Sequence, residues 1–239
     1  MSRLKDEKFK VLDGSWLKLI ASVLMLANHA ANSFVSITGK IIVFSFGSYS
    51  LDLCNLIFYI SRICFPIYAF LLVEGFIHTH DRRKYGMNLF LFALISEIPW
   101  NLRRSGTIFY EKQNVMFTLL FGYLGLYAIE NYKEDHPKQL MALIVLLITA
   151  TFFNADYGVT GFGFILLLYA LRDNRILQAI IGCTLLSGRW IAGMAFIPIN
   201  MYSGKRGFAR SGIWKYAFYI FYPLHLLLLF LLRYYTIGY

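Results

Sequence analysis

Seven ionisable side chains stand inside otherwise apolar stretches of this sequence: Lys18, His29, Arg62, Glu74, Glu97, Asp156 and His225. Such a group at bilayer depth is costly unless it is paired, hydrated or able to snorkel, so each marks either function or structural pairing. Asn28, Asn101, Gln113, Asn114 and Asn154 add polar partners. A carboxylate beside an imidazole is the pairing that a general base requires. His29 is the candidate general base. It lies deep in its segment, after Asn28 and before the small residues Ala30 and Ala31. The alternative is an imidazole that only pairs with another helix. Lys18 lies about 16 Å away along the same helix, near the cytoplasmic face, where a lysine either snorkels or binds an anion.

Arg62 opens the run Arg62-Ile63-Cys64-Phe65-Pro66, and a proline four residues on loosens the helix there. Glu74 falls about 18 Å further toward the cytoplasm, too far to reach Arg62, but placed to anchor Lys18. Ser96-Glu97-Ile98-Pro99-Trp100-Asn101 is a second stretch expected to be broken by proline. Glu97 can partner Arg62 as a structural ion pair, or it can orient His29, fixing its tautomer and raising its basicity. Asn114 and the turn Asn154-Ala155-Asp156-Tyr157-Gly158 form either an ordinary loop or the rim of a binding cavity. His225 follows a Tyr222-Pro223 break and is either a second site residue or a packed core group.

These groups need a scaffold, and composition dictates its class. Apolar residue types make up 58% of 239 residues and charged types 15%, too little charge for a water-soluble surface. The expected fold is an all-α polytopic bundle of roughly nine spans, some short or proline-broken, as a single domain over 1–239. The spans are placed at 15–36, 53–79, 85–103, 114–131, 138–153, 158–172, 175–187, 190–202 and 213–235, and two of the short late ones can combine as a re-entrant unit. The polar start leads straight into a span, with no cleavage pattern of a signal peptide.

The net charge of +10 reads as the positive-inside rule and not as nucleic-acid binding. With nine spans, Arg3, Lys5, Lys8, Lys10, Arg82, Arg83, Lys84, Lys133, Lys138, Arg172, Arg175, Lys205, Arg206, Arg210 and Lys215 fall on one side, with the N-terminus cytoplasmic. Arg103, Arg104 and Lys112 are the exception. Cys54, Cys64 and Cys183 read as core residues, without disulfide or metal spacing.

Several of these segments together resemble the TraX family of bacterial membrane proteins. They are the Lys18–His29 region, Arg62–Gly75 with Leu-Leu-Val-Glu-Gly, Leu-Ile-Ser-Glu-Ile-Pro at 94–99, Gln113–Thr118, Asn154–Gly158 and Phe-Tyr-Pro-Leu-His at 221–225. The family is associated with N-acetylation of pilin subunits, and it is similar to the broad acyltransferase-three class. That class carries Arg, ten residues, then His in its first span, where this sequence has Lys18 and His29. Lysine supplies charge but not the bidentate fork of arginine. Asn101 stands where the family has an acidic residue.

The resemblance implies a multi-pass protein of the bacterial inner membrane that moves acetyl from acetyl-CoA to an amine or hydroxyl. The acceptor would be a pilin-like peptide, a sugar or a lipid. It further implies catalysis by His29, Glu97 and Arg62, and donor binding by Lys18, Arg82, Arg83, Lys205 and Arg206. Acceptor binding would fall to Asn114, Asn154, Asp156, Tyr157 and His225. Intramembrane charges also mark transporters and channels, and a non-catalytic pilin maturation factor is a third class.

Overall fold

A computed structural model describes residues 9–210 and 213–238. The chain folds as two compact units, one formed by Met1–Tyr68 with Leu186–Tyr239 and one by Ala69–Leu185. Both are built from helices, with one small hairpin.

In the first unit, helix α1 (Gly14–Ser33) starts because Asp13 accepts the backbone N–H of Ser15 and Trp16. Leu17, Ala21, Met25, His29 and Ser33 recur every fourth residue and are all buried, so His29 lies on the inward stripe of α1. One turn, α2 (Val35–Thr38), leads to a hairpin of β1 (Ile42–Phe46) and β2 (Tyr49–Asp52), paired antiparallel from Ile42↔Asp52 to Phe46↔Tyr49. The helix-only expectation missed this hairpin. Its signal is a β-branched and aromatic run ending in a Gly47-Ser48 turn, where Gly47 takes φ +58°.

Asp52 then caps α3 (Leu53–Ser61), and its carboxyl is held below the usual carboxylate range mainly by the backbone N–H of Asn55. Helix α3 stops at Arg62, and α4 (Cys64–His78) begins two residues on. This is the break expected from Pro66, which has no N–H to offer the Arg62 carbonyl. By contrast, Pro99 and Pro223 lie inside uninterrupted helices, so the breaks expected there are absent. One missing bond within a long helix is tolerated when the flanking ladder holds. The span expected at 190–202 is instead a 3₁₀ segment (Ser187–Ala195) and a short α10 (Phe196–Asn200).

A strap at 201–209 then closes around the start of α1. Leu12 donates to Met201 O (3.0 Å), Ser203 donates to Leu12 O (2.8 Å), Gly14 donates to Lys205 O (2.8 Å), and Ser15 Oγ donates to Arg206 O (2.8 Å). Gly207 takes φ +73° against Asp13, where a Cβ would collide with the capping carboxylate. Helix α11 (Ile213–Thr236) ends this unit.

In the second unit, α5 (Arg82–Ser105) is capped by Asp81 and ends on Gly106 at φ +74°. Helix α6 (Val115–Asn131) is buried on nearly every side and packs against α5, α7 (His136–Phe152) and α8 (Gly158–Ala170). Gly122 and Gly125 let α6 approach α8 closely, since a Cβ at Gly122 would lie 3.0 Å from Ile165 Cβ, and one at Gly125 3.1 Å from Phe162. Helix α9 (Arg175–Leu185) completes the unit and carries Cys183 on an exposed face, not in the core as expected.

Among the described residues, two helical stretches are long and apolar enough to cross a membrane, Leu53–His78 and Tyr216–Thr236. Five further apolar helices are shorter.

Candidate functional site

Helices α1 and α11 bring His29 and His225 together, although they are 196 residues apart in sequence. Nδ1 of His29 lies 2.8 Å from Nε2 of His225, and Nδ1 of His225 lies 2.7 Å from the carbonyl oxygen of Phe221. The two imidazoles are 6° from parallel, and the Phe221 ring stacks on His225 at 4.7 Å. Both histidines are buried, at 8% and 4% exposure.

The proton positions follow from what each atom can do. A carbonyl only accepts, so Nδ1 of His225 carries hydrogen. In neutral His225, Nε2 must then accept, and Nδ1 of His29 donates to it. That leaves the lone pair of His29 on Nε2, the arrangement of a general base or nucleophile. When His29 takes up a proton, its Nδ1–H bond to His225 becomes charge-assisted and strengthens.

The other candidate residues of this unit lie along the same elements. Lys18 is partly buried on α1, with Nζ 5.6 Å from the Phe218 ring, and the Arg206 charge acts on it. Lys205 and Arg206 are exposed on the strap, while their backbone carbonyls hold the start of α1. The N-terminal donors of α1 are thus already taken, and an anion here would meet side-chain charge. Arg62 caps α3 and lies over the rings of Phe58 and Tyr59, at 4.8 and 5.2 Å.

The second unit holds the remaining candidates. Glu97 Oε2 accepts from Asn114 Nδ2 (2.5 Å) and faces the Asn114 backbone N–H at 3.4 Å. Asn114 is fully buried: it also donates to Ala93 O and caps α6 through Met116 N. Beside it, Gln113 N donates to Asn154 O (3.2 Å), Asn154 Nδ2 donates to Glu111 O (3.2 Å), and Tyr157 N–H meets Thr118 Oγ1 at 3.3 Å. The turn at 154–157 is thus tied to the start of α6, with Asp156 exposed. Asn154 takes φ +49°, a left-handed conformation that asparagine tolerates.

Arg82 pairs with Glu130 (3.7 Å) and lies over Phe76, while Arg83 is exposed. Glu74, expected to anchor Lys18, bonds Arg175 (3.2 Å) and stands 3.6 Å from His78.

With this geometry in hand, comparison with known proteins gives a family. The TraX protein family model matches residues 13–233. The chain belongs to the TraX family. The matched region runs from the α1 cap to the last turns of α11 and contains every candidate residue above. One similar protein is described as a probable fimbrial assembly protein FimC, serogroup H1, from Dichelobacter nodosus. It is 29% identical over 242 residues, covering 89% of this chain and 92% of that protein. No solved structure matches. For this TraX family member the sequence identified His29 and His225 separately. Their pairing carries no local sequence signal, because nothing in either segment encodes contact across 196 residues.

Proposed function

We propose that this protein is a multi-pass acetyltransferase of the bacterial inner membrane that matures pilin or fimbrial subunits. Three observations support the reading: family membership, the fimbrial-assembly description of a relative, and the buried imidazole pair. The pair carries it, because a histidine with a defined tautomer and a lone pair on Nε2 suits proton removal from an amine or hydroxyl. His225 then takes the orienting part that the sequence reading gave to Glu97. The acceptor attacks the thioester carbonyl of acetyl-CoA, His29 takes its proton, and CoA leaves as the thiol once it is protonated. His29 can alternatively carry the acetyl group in transit. Arg62 remains the candidate for oxyanion stabilisation. Lys18, Lys205 and Arg206 supply positive charge for the CoA phosphates.

The membrane part of the proposal rests on surface chemistry. Large apolar side chains are exposed along the helices, among them Val23, Leu26, Ile95, Ile98, Ile144, Ile148, Leu224 and Leu228. Faces of that kind belong in lipid, and with snorkelling ends and bilayer thinning the shorter helices can serve among roughly nine spans.

Purified protein in detergent, given acetyl-CoA and a pilin-subunit peptide, should add an acetyl mass to the peptide. His29→Ala should lower the transfer at least about a hundredfold. Wild-type rates from folded His29→Ala would overturn the catalytic assignment. Peptide capture without a mass shift would point to a non-catalytic maturation factor.

A further inference from the structure

In the hairpin of β1 and β2, every residue from Ile41 to Ser50 is exposed. The pairing register sorts these residues by chemistry. Directly opposed residues share a face, and so do residues two apart in a strand. Phe44 opposes Leu51 and Phe46 opposes Tyr49, which gathers three aromatic rings and a leucine on one face. Ser45 opposes Ser50 on the other. The aromatic face is bare: Phe44 is 60%, Phe46 78% and Tyr49 82% exposed. A hairpin packed on a protein core would turn its rings inward and its serines to water. A lone two-stranded hairpin is marginal in water and needs an apolar surface to lie on.

The ends of the hairpin say which surface is at hand. Asp52, the last residue of β2, caps α3. The apolar stretch Leu53–His78, long enough to cross a membrane, begins at the next residue, with no linker between them. At the other end, Val35 and Ile37 on α2 are exposed as well, and Lys40 is exposed where the chain enters β1, suited to lipid phosphates. A strand of the length of β1 reaches only about 17 Å, so the hairpin stays at the surface of any bilayer that this span enters. We infer that the hairpin is an interfacial anchor, with the Phe44, Phe46 and Tyr49 face laid on the headgroup boundary of the lipid bilayer and the Ser45–Ser50 face turned to water. Its rings enter to about 5–10 Å, the depth at which amphipathic elements rest on a membrane. The Tyr49 hydroxyl then stays among the headgroups. At that depth the unpaired outer edges of both strands still reach water, as open strand edges require. The inference rests on the membrane placement proposed above and adds to its spans an element that lies flat.

The test uses the full chain in phosphatidylcholine–phosphatidylglycerol vesicles, with Cys183→Ser removing the exposed native thiol. A solvent-sensitive fluorophore is attached, one site at a time, at Phe46→Cys, Tyr49→Cys, Ser45→Cys, Ser50→Cys and Leu228→Cys. Leu228, exposed on the apolar stretch Tyr216–Thr236, reports whether the chain is in the membrane at all. Labels at 46 and 49 should emit at shorter wavelength than labels at 45 and 50. They should be quenched at least about twofold more by a nitroxide near the lipid headgroup than by one deep in the acyl chain, as an interfacial depth requires. Labels at 45 and 50 should be quenched by aqueous iodide. Water-like emission at 46 and 49, with the label at 228 quenched by lipid, overturns the inference, leaves the membrane placement standing and points to a protein partner for this face. Cross-linking of Phe46→Cys between copies, without quenching by lipid, overturns it in favour of self-association. Stronger quenching at 46 by the deep nitroxide overturns it too, since the hairpin would then be inserted and not laid flat. Water-like emission at every labelled position overturns both the inference and the membrane placement.

Discussion

A neutral imidazole has one donor and one acceptor, and in the pair formed by His29 and His225 the Phe221 carbonyl decides which nitrogen plays which part. Losing either ring should therefore affect the reaction differently. His29→Ala removes the base and should lower acetyl transfer by about 10²–10⁴-fold, the usual worth of a positioned general base. His225→Ala keeps the base but frees its tautomer. The rate should fall less, the KM for acetyl-CoA should hold, and the pH–rate profile should shift because the imidazolium of His29 loses its acceptor. A profile identical to wild type would show that His225 only packs. Lys18→Ala acts on a different step: it should raise the KM for acetyl-CoA and leave kcat nearly unchanged, read from steady-state kinetics.

Helices α6 and α8 show how sequence sets the packing of the second unit. Gly122 and Gly125 remove side chains where the Ile165, Phe162 and Leu166 side chains press in. Gly122→Leu forces this contact apart and should destabilise the protein by roughly 1–3 kcal/mol, the range for overpacked interiors. A lowered unfolding midpoint in detergent would show it. At the start of α7, outside the apolar core, Asp135 caps the helix and meets Lys138 Nζ at 2.7 Å. The Lys138 side chain, and then its backbone N–H, hold the Asp135 carboxyl below the usual carboxylate range. The folded form therefore prefers the ionised carboxylate. Its contribution is present above the unfolded value of about 4 and is lost as pH falls through the lower folded value. The protection of the Lys138 and Gln139 amides, taken relative to the free-chain exchange rate at each pH, should fall on acidification through that window, and Asp135→Asn should flatten the response.

At the scale of the whole molecule, the proposed topology makes its own prediction. With roughly nine spans, the N-terminus and the loop at 132–138 lie in the cytoplasm, while the C-terminus lies outside. Alkaline phosphatase fused after residue 238 should be active, and fused at residue 134 inactive. The reverse pattern, or a chain released from membranes by alkaline carbonate, would reject the topology.

Read alone, the sequence determined the helical class, the position of most helices to within a few residues, and the polar groups that stand out against an apolar chain. Those follow from local properties: hydropathy, caps such as Asp13 and Asn114, and the break at Pro66. It failed where neighbours decide. Pro99 and Pro223 stay within helices because the surrounding ladder holds; the hairpin at 42–52 is a different case, since its Gly47-Ser48 turn is a local signal that the helix-only expectation passed over. Only the tertiary structure could pair His29 with His225 and tie Glu97 to Asn114, because each contact joins separate elements. A residue's type advertises what chemistry it can do. Which partner sets its proton and its charge depends on packing between segments distant in the chain.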